Sequence, residues 1–257
     1  MKALVTGAAR RIGREMALFL ARRGYDVAVH YDRSTADADQ TVADITALGR
    51  HAVALQADLL DEDALADLIP RANAALGGPL TVLINNASIF EYDNITTATR
   101  KSWDRAIGSN LRAPFVLTQA FAAQCPPALT IDGEPVAQGL ILNMIDQRVL
   151  KPTPEFMTYS LAKMGLYALT RTSAQGLAPH IRVNGIGPGP TVQGARQSDS
   201  HFARQRAATV LGRGASPADV CAAVGFFIDS PAVTGQMIAV DGGQHLAWAT
   251  PDVLGVE

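Results

Sequence analysis

Ala3-Leu-Val-Thr-Gly-Ala-Ala-Arg-Arg-Ile-Gly13 carries an apolar strand pattern into a glycine turn and then into a helical pattern over residues 12–24. A turn of this kind leaves the first backbone N–H groups of the helix without partners and aims them outward. Those donors, with the positive end of the helix dipole, form a ready site for phosphate. Gly7 and Gly13 bracket the turn, and Arg11 stands where a middle glycine would allow the closest approach of backbone to ligand. The Arg11 guanidinium is then expected to reach the phosphate region that the turn faces.

Outward from this turn, short apolar runs alternate with longer helix-like stretches. Residues 3–6, 27–31, 52–56, 80–85, 140–144, 181–185 and 237–240 read as strands, and 12–24, 35–49, 61–77, 99–124 and 158–178 as helices. Continuously apolar strands separated by helices predict a parallel sheet covered on both faces. The fold class expected is therefore α/β, a doubly wound parallel sheet of about seven strands with helices on both faces. The apolar content is 48% and shows no break along 257 residues, which favours a single domain spanning 1–257. Two segments leave the rhythm. Residues 126–139 carry Pro-Pro and Asp-Gly and read as a surface loop, while 188–217, and within it 190–216, read as a lid or substrate loop over the strand ends, with an ordinary variable loop the alternative for 193–206.

A net charge of −2 gives no overall drive towards nucleic acid or an anionic membrane. The two cysteines, Cys125 and Cys221, offer neither a disulfide framework nor a metal knuckle, and the five histidines lack ligand spacing, so no metal site is expected. No apolar run approaches a membrane span and no signal-peptide pattern opens the chain, which makes the cytoplasm the expected location.

The chemistry gathers at Tyr159-Ser-Leu-Ala-Lys163. In a helix over 158–178 the phenol and the ammonium lie one turn apart on one face, where Lys163 would lower the phenol pKa and let Tyr159 act as general acid or base. Paired with a phosphate-holding turn, this implies a nicotinamide-dependent oxidoreductase. Asp58 after the third strand and Asn85-Asn86-Ala87 after the fourth place polar groups where ribose and adenine would lie. At the tip of the second strand the sequence is His30-Tyr31-Asp32-Arg33-Ser34. The tip position falls on His30 rather than on a carboxylate, and Arg10, Arg33 and Ser34 can meet a 2′-phosphate, so NADP(H) is the expected cofactor over NAD.

With these residues assembled, the chain resembles the short-chain dehydrogenase/reductase family over essentially its whole length, through Asn85-Asn-Ala87, Asn110, Tyr159, Lys163, Pro188-Gly189 and Asp241-Gly-Gly243. The resemblance implies a Rossmann fold, a homotetramer, and a proton path from Tyr159 through the cofactor ribose and Lys163 to a water at Asn110. It fills out the cofactor set to Gly7, Arg10, Arg11, Ile12, Gly13, His30, Tyr31, Arg33, Ser34, Asp58, Asn86, Ala87, Ser88, Tyr159, Lys163, Pro188, Gly189 and Thr191. One position departs from the family. Thirteen residues before the tyrosine, where a serine normally donates to a substrate carbonyl, stands Asp146. A carboxylate accepts from ring N–H or relays a proton, which suits a nitrogen heterocycle better than a ketone.

That substitution, the Arg-Arg turn and Asn85-Asn-Ala-Ser-Ile-Phe90 resemble the pteridine reductase subgroup and its bacterial relatives acting on dihydromonapterin or dihydrofolate. The resemblance makes Phe90 the ring that stacks on the pterin, and Arg11 and Ser88 groups that meet both pterin and cofactor phosphates. The expected catalytic set is Asn110, Asp146, Tyr159 and Lys163, and the expected substrate set Arg11, Ser88, Phe90, Asp146 and Tyr159. An NADPH-dependent reductase of a small-molecule pterin follows. An ordinary carbonyl or polyol reductase and a non-catalytic NADP-binding sensor stay open as alternatives.

Overall fold

The computed structural model describes residues 1–194, 197–248 and 250. Seven parallel strands form one sheet: β1 (Lys2–Val5), β2 (Asp26–Tyr31), β3 (Ala52–Gln56), β4 (Val82–Asn85), β7 (Gly139–Met144), β8 (Ile181–Pro188) and β9 (Met237–Val240). Their spatial order is β3-β2-β1-β4-β7-β8-β9. The chain moves outward from β1 to β3 and then returns to build the other half from β4. Strand order thus reverses between β1 and β4, and the crevice at their carboxyl ends is where a ligand binds in such a sheet. Thr6 to Gly13 follows β1 and Asn86 to Phe90 follows β4, so the two motifs singled out by sequence meet at this crevice.

All seven strands read from sequence are present, and β8 runs three residues beyond 185. Alternation sorts their side chains to two cores. Ala3, Val5, Val27 and Val29 face Met16, Leu20, Val224 and Phe227, whereas Leu4, Ala28, Leu83 and Ile141 face Leu68, Ile69, Leu117 and Phe121. Each large side chain buried in this way contributes roughly 1.5–3 kcal/mol.

Helices α1 (Arg11–Arg22), α2 (Thr35–Ala47), α3 (Glu62–Leu76) and α6 (Met157–Leu177) match the sequence expectation closely. Four features correct it. The single helix expected over 99–124 is α4 (Arg100–Ile107) and α5 (Ala113–Gln124), joined by a π-helical segment, Gly108–Arg112. The surface loop at 126–139 contains an antiparallel hairpin, β5 (Leu129–Ile131) with β6 (Glu134–Val136), turned by Asp132 and Gly133, both with positive φ as a tight primed turn requires. The 190–216 loop contains α7 (Asp199–Ala207), capped by the Ser198 side chain accepting from the His201 N–H. Helix α8 (Pro217–Asp229) is a further helix, started by a capping box between Ser216 and Asp219 with Pro217 in the first turn. No helix among the described residues is long and apolar enough to cross a membrane.

Candidate active site

The glycine turn is held from below by side chains that sequence assigned to the ligand. Gly7, at φ +63°, donates its N–H to His30 Nδ1 at 3.0 Å, and His30 Nε2 lies 3.0 Å from the Ala57 carbonyl. An N–H can only donate, so Nδ1 is the acceptor and the ring is the neutral Nε2–H tautomer. Burial pushes the imidazole pKa down to about 4, against the pull of the Ala57 hydrogen bond. His30 is therefore a strut under the turn and not a surface group at the adenosine end. Asn86 Nδ2 donates to Thr6 O at 2.8 Å and Gly7 O at 3.2 Å, while Thr6 Oγ1 accepts from the N–H groups of Asn86 and Ala87 at 2.8 and 2.9 Å. A Cβ on Gly13 would collide with Gly7 O and stand 2.6 Å from Asn86 Nδ2, so this position admits only glycine.

Arg11 keeps the backbone of the glycine it replaces, with φ +57°. Its side chain leaves the turn, so its bulk does not fill the space beneath the helix N-terminus. Its guanidinium donates to Gln193 O at 2.8 Å and Val192 O at 3.0 Å and ties the turn to the segment after β8. Helix α1 has no side-chain cap and no acid in its first turn, so the N–H groups around Ile12 and Gly13 offer their charge to an external anion. This cradle fits the pyrophosphate of a dinucleotide. Pro188 ends β8, Gly189 packs where a Cβ would meet Asp241 at 2.6 Å, and the buried Thr191 hydroxyl donates to Gly189 O.

Around the end of β2, Tyr31 closes the strand and Arg33 reaches Asp32 at 3.3 Å with its side chain 86% exposed. Arg10 lies 3.6 Å from Asp37, and Ser34 starts α2 without using its hydroxyl as a cap. Both arginines are exposed cations, the type of group a 2′-phosphate site uses, and each leans on an aspartate. Asp58 binds its own turn, accepting from the Leu60 N–H at 2.9 Å.

Tyr159 and Lys163 lie on α6 with Asp146 beside them after β7. The Tyr159 hydroxyl donates to Asp146 Oδ2 at 2.7 Å, and the Arg148 N–H donates to Asp146 Oδ1 at 2.8 Å. Lys163 Nζ donates to Met144 O at 2.7 Å and lies 5.6 Å from the centre of the Tyr159 ring. The electrostatics correct the sequence expectation. The phenol pKa is raised well above its ordinary value by burial, then by the charge of Asp146 and the hydrogen bond to it. Asp146 is itself raised by burial, only partly offset by its hydrogen bonds and by the charges of Arg148 and Lys163. Burial lowers Lys163 to about 8. The site thus holds a protonated phenol donating to a carboxylate, a proton donor rather than a ready base.

Asn110 sits in the π segment, a widened turn often found at functional sites. Its Nδ2 donates to Ala106 O and Ile89 O at 3.0 Å each, and its Oδ1 accepts from Ser88 Oγ at 2.7 Å. Ser88, expected to meet pterin and phosphate, here has its hydroxyl proton committed to Asn110. These bonds hold the segment that presents Phe90.

Phe90 does face the tyrosine, edge to face with ring centres 4.7 Å apart. Sequence reading missed its companions. Phe156 stacks on Phe90 at 4.2 Å and 7° between planes, Tyr92 meets Phe156 edge-on at 5.3 Å, and the Arg148 guanidinium lies over the Phe156 ring at 5.0 Å. Phe156 has φ +55°, a left-handed backbone that costs a bulky residue of order 1–3 kcal/mol and that the surroundings must enforce. Part of that enforcement comes from Asp93. Its carboxylate accepts from the Thr158 N–H at 3.1 Å and the Thr158 hydroxyl at 2.6 Å, tying the Phe90 segment to the start of α6.

A family profile described as short chain dehydrogenase matches residues 1–203. The chain is 32% identical over 249 residues to the 3-oxoacyl-[acyl-carrier-protein] reductase FabG of Staphylococcus aureus (strain Mu50), covering 95% of this chain and 98% of that one. It is 31% identical over 252 residues to the 2-dehydro-3-deoxy-D-gluconate 5-dehydrogenase of Escherichia coli (strain K12), covering 94% of each. Among solved structures, FolM alternative dihydrofolate reductase 1 from Brucella canis, complexed with NADP, superposes with a TM-score of 0.89 at 39% identity, covering 99% of this chain and 98% of that one. The Brucella suis FolM, also with NADP, gives 0.91 at 39% identity, with 98% of each chain covered. The family profile matches most of the chain and these relatives cover nearly all of it, and the chain belongs to the short-chain dehydrogenase family.

Proposed function

We propose that this protein is an NADPH-dependent reductase of a pterin, a dihydropterin, dihydromonapterin or dihydrofolate-like ring. The observation that carries the reading is the 2.7 Å bond from the Tyr159 hydroxyl to Asp146 Oδ2, beneath the Phe90 ring. The NADP-bound FolM structures at 39% identity support both the cofactor and the substrate class.

A reduced nicotinamide dinucleotide bound along the β1–β4 crevice supplies a hydride. The chain's own residues do the rest. The open N-terminus of α1 binds the pyrophosphate, and Arg10, Arg33 and Ser34 bind the 2′-phosphate. Lys163, fixed by Met144 O, would hold the ribose through its remaining N–H donors. Reduction of a ring C=N bond also consumes one proton, which must reach the nitrogen. The Tyr159 hydroxyl, donating to Asp146, holds that proton, because burial and the Asp146 charge raise the phenol pKa. Delivery to the ring nitrogen leaves the pair one proton short, and solvent refills it. Phe90 orients the flat ring by stacking, a contribution of roughly 1 kcal/mol beyond burial.

The likeness to FabG and the gluconate dehydrogenase favours a second reading, a general carbonyl reductase. Asp146 speaks against it, because a carbonyl oxygen needs donors and this position offers a carboxylate where a hydroxyl would serve. Steady-state reduction of dihydrobiopterin, dihydromonapterin, dihydrofolate and a simple diketone, each with NADPH and NADH, decides between them. Turnover of the diketone with none of any pterin selects the carbonyl reductase.

A further inference from the structure

Arg148 has no place in the chemistry above, yet it borders the site. Its guanidinium lies 5.0 Å over Phe156, whose ring stacks on Phe90 at 4.2 Å, which in turn meets Tyr159. Its backbone N–H donates to Asp146 Oδ1 at 2.8 Å, and its charge lowers the pKa of both Asp146 and Tyr159, so the residue adjoins the catalytic pair as well as the aromatic wall. Arg148 is only partly exposed, and its NH1 donates to the Thr153 hydroxyl. Among the described residues the arginine–carboxylate ion pairs include Arg14, Arg23, Arg50, Arg105 and Arg112 but not Arg148.

A guanidinium stacked on an aromatic ring keeps its edge N–H donors free to fork onto a planar anion. The Thr153 bond uses one nitrogen and steers the group without neutralising it. A partly desolvated cation at the rim of a site for a flat ring is suited to an anionic group attached to that ring.

We infer that Arg148 is a specificity-determining residue that binds a carboxylate on the substrate's side chain, so that the preferred substrate is a carboxylate-bearing pterin rather than one with a neutral polyol tail. This rests on the pterin reading. The wall supplies the face for the ring, and Arg148 selects among rings by their tails.

The test compares dihydrofolate, its neutral diester and dihydrobiopterin in the wild type, Arg148→Gln and Arg148→Lys. The wild type is expected to show a KM for dihydrofolate about tenfold to a hundredfold below that for the diester, the worth of one charge-assisted bond. Arg148→Gln should abolish that acid-to-ester difference, read as the ratio of the two KM values within the variant whatever its absolute rate, and Arg148→Lys should restore part of the preference. A role exercised only through Asp146 would instead change kcat and its pH profile for every substrate alike. The acid-to-ester comparison in the wild type stands even if the variants fail to fold. A wild type that reduces pterins without preferring the carboxylate overturns the Arg148 assignment alone. A wild type that reduces no pterin overturns the function and this inference with it.

Discussion

Replacing Asp146 by Asn removes one charge and leaves shape and one acceptor oxygen in place, which makes it the sharpest probe of the catalytic pair. Of the three influences that raise the Tyr159 pKa, burial is largest, and the other two, charge and hydrogen bond, both come from Asp146. Without the charge the phenol falls towards the value burial alone sets, and each unit of that fall is worth about 1.4 kcal/mol. Lys163 moves as well. Burial holds it at about 8 and Asp146 is the group that supports its protonation, so in Asp146→Asn it loses its proton at a lower pH still.

Three consequences can be measured. Pterin kcat should fall by about 10²–10⁴-fold, the usual worth of a positioned acid–base group, or roughly 3–5 kcal/mol of barrier. The alkaline limb of the pH profile should shift to lower pH, and cofactor binding should weaken above neutrality because an uncharged Lys163 donates less strongly. Asp146→Ser should produce the same loss on pterins while raising diketone turnover, since a hydroxyl donates to a carbonyl. Stopped-flow and steady-state rates taken on both sides of the Lys163 pKa of about 8 give all three quantities. Pterin turnover within about threefold of wild type, with an unmoved alkaline limb, would remove Asp146 from the mechanism.

Tyr159→Phe keeps the ring that meets Phe90 and deletes the hydroxyl bonded to Asp146, so NADPH affinity should persist while turnover falls by about 10²-fold or more; titration of cofactor fluorescence alongside rates separates the two. Arg33→Ala should raise KM for NADPH about tenfold and leave NADH nearly unchanged, a loss at the low end for a charge-assisted bond because the guanidinium is 86% exposed and leans on Asp32. Equal effects on both cofactors would place the 2′-phosphate elsewhere. His30 has a folded pKa of about 4, below the ordinary 6.5, so its contribution to stability is complete above pH 6.5 and is lost as pH falls towards 4. That is up to about 3 kcal/mol, read as a urea-midpoint slope that His30→Gln should flatten.

The sheet is legible in sequence because its information is local. Strands such as Leu83-Ile84 of β4 and Leu140-Ile141-Leu142 of β7 are buried on both faces, and a strand so placed must be apolar throughout, which a sequence displays directly. Other elements have weaker signatures. Ser216-Pro217-Ala218-Asp219 is a capping box, but its helix α8 is apolar on most sides because it lies on α1 and the sheet, so its amphipathic period is faint. Asp132-Gly133 reads as a turn, yet the strands around it are three residues each, too short for alternation to show.

The site divides along the same line. Tyr159 and Lys163 are four apart on one helix, so their proximity is a property of the helix and is readable in advance. Their electrostatics are not, because the sign of the Tyr159 shift depends on Asp146 arriving from β7 and on how much water the fold removes from both. Within α6 the lysine is the phenol's nearest charge, whereas the fold gives that place to the carboxylate and commits an ammonium proton to Met144 O. His30 takes an unexpected role for the same reason: it stands near the end of a strand, but its ring turns inward to two backbone groups that follow β1 and β3. Phe156 is the strongest case. Its left-handed backbone is unfavourable locally and exists because Asp93, 65 residues before Thr158, holds the first turn of α6 through that threonine. A residue kept in a costly conformation against Phe90 and under Arg148 is held there by tertiary structure alone, and that is why the wall that would select the substrate had to be seen in three dimensions.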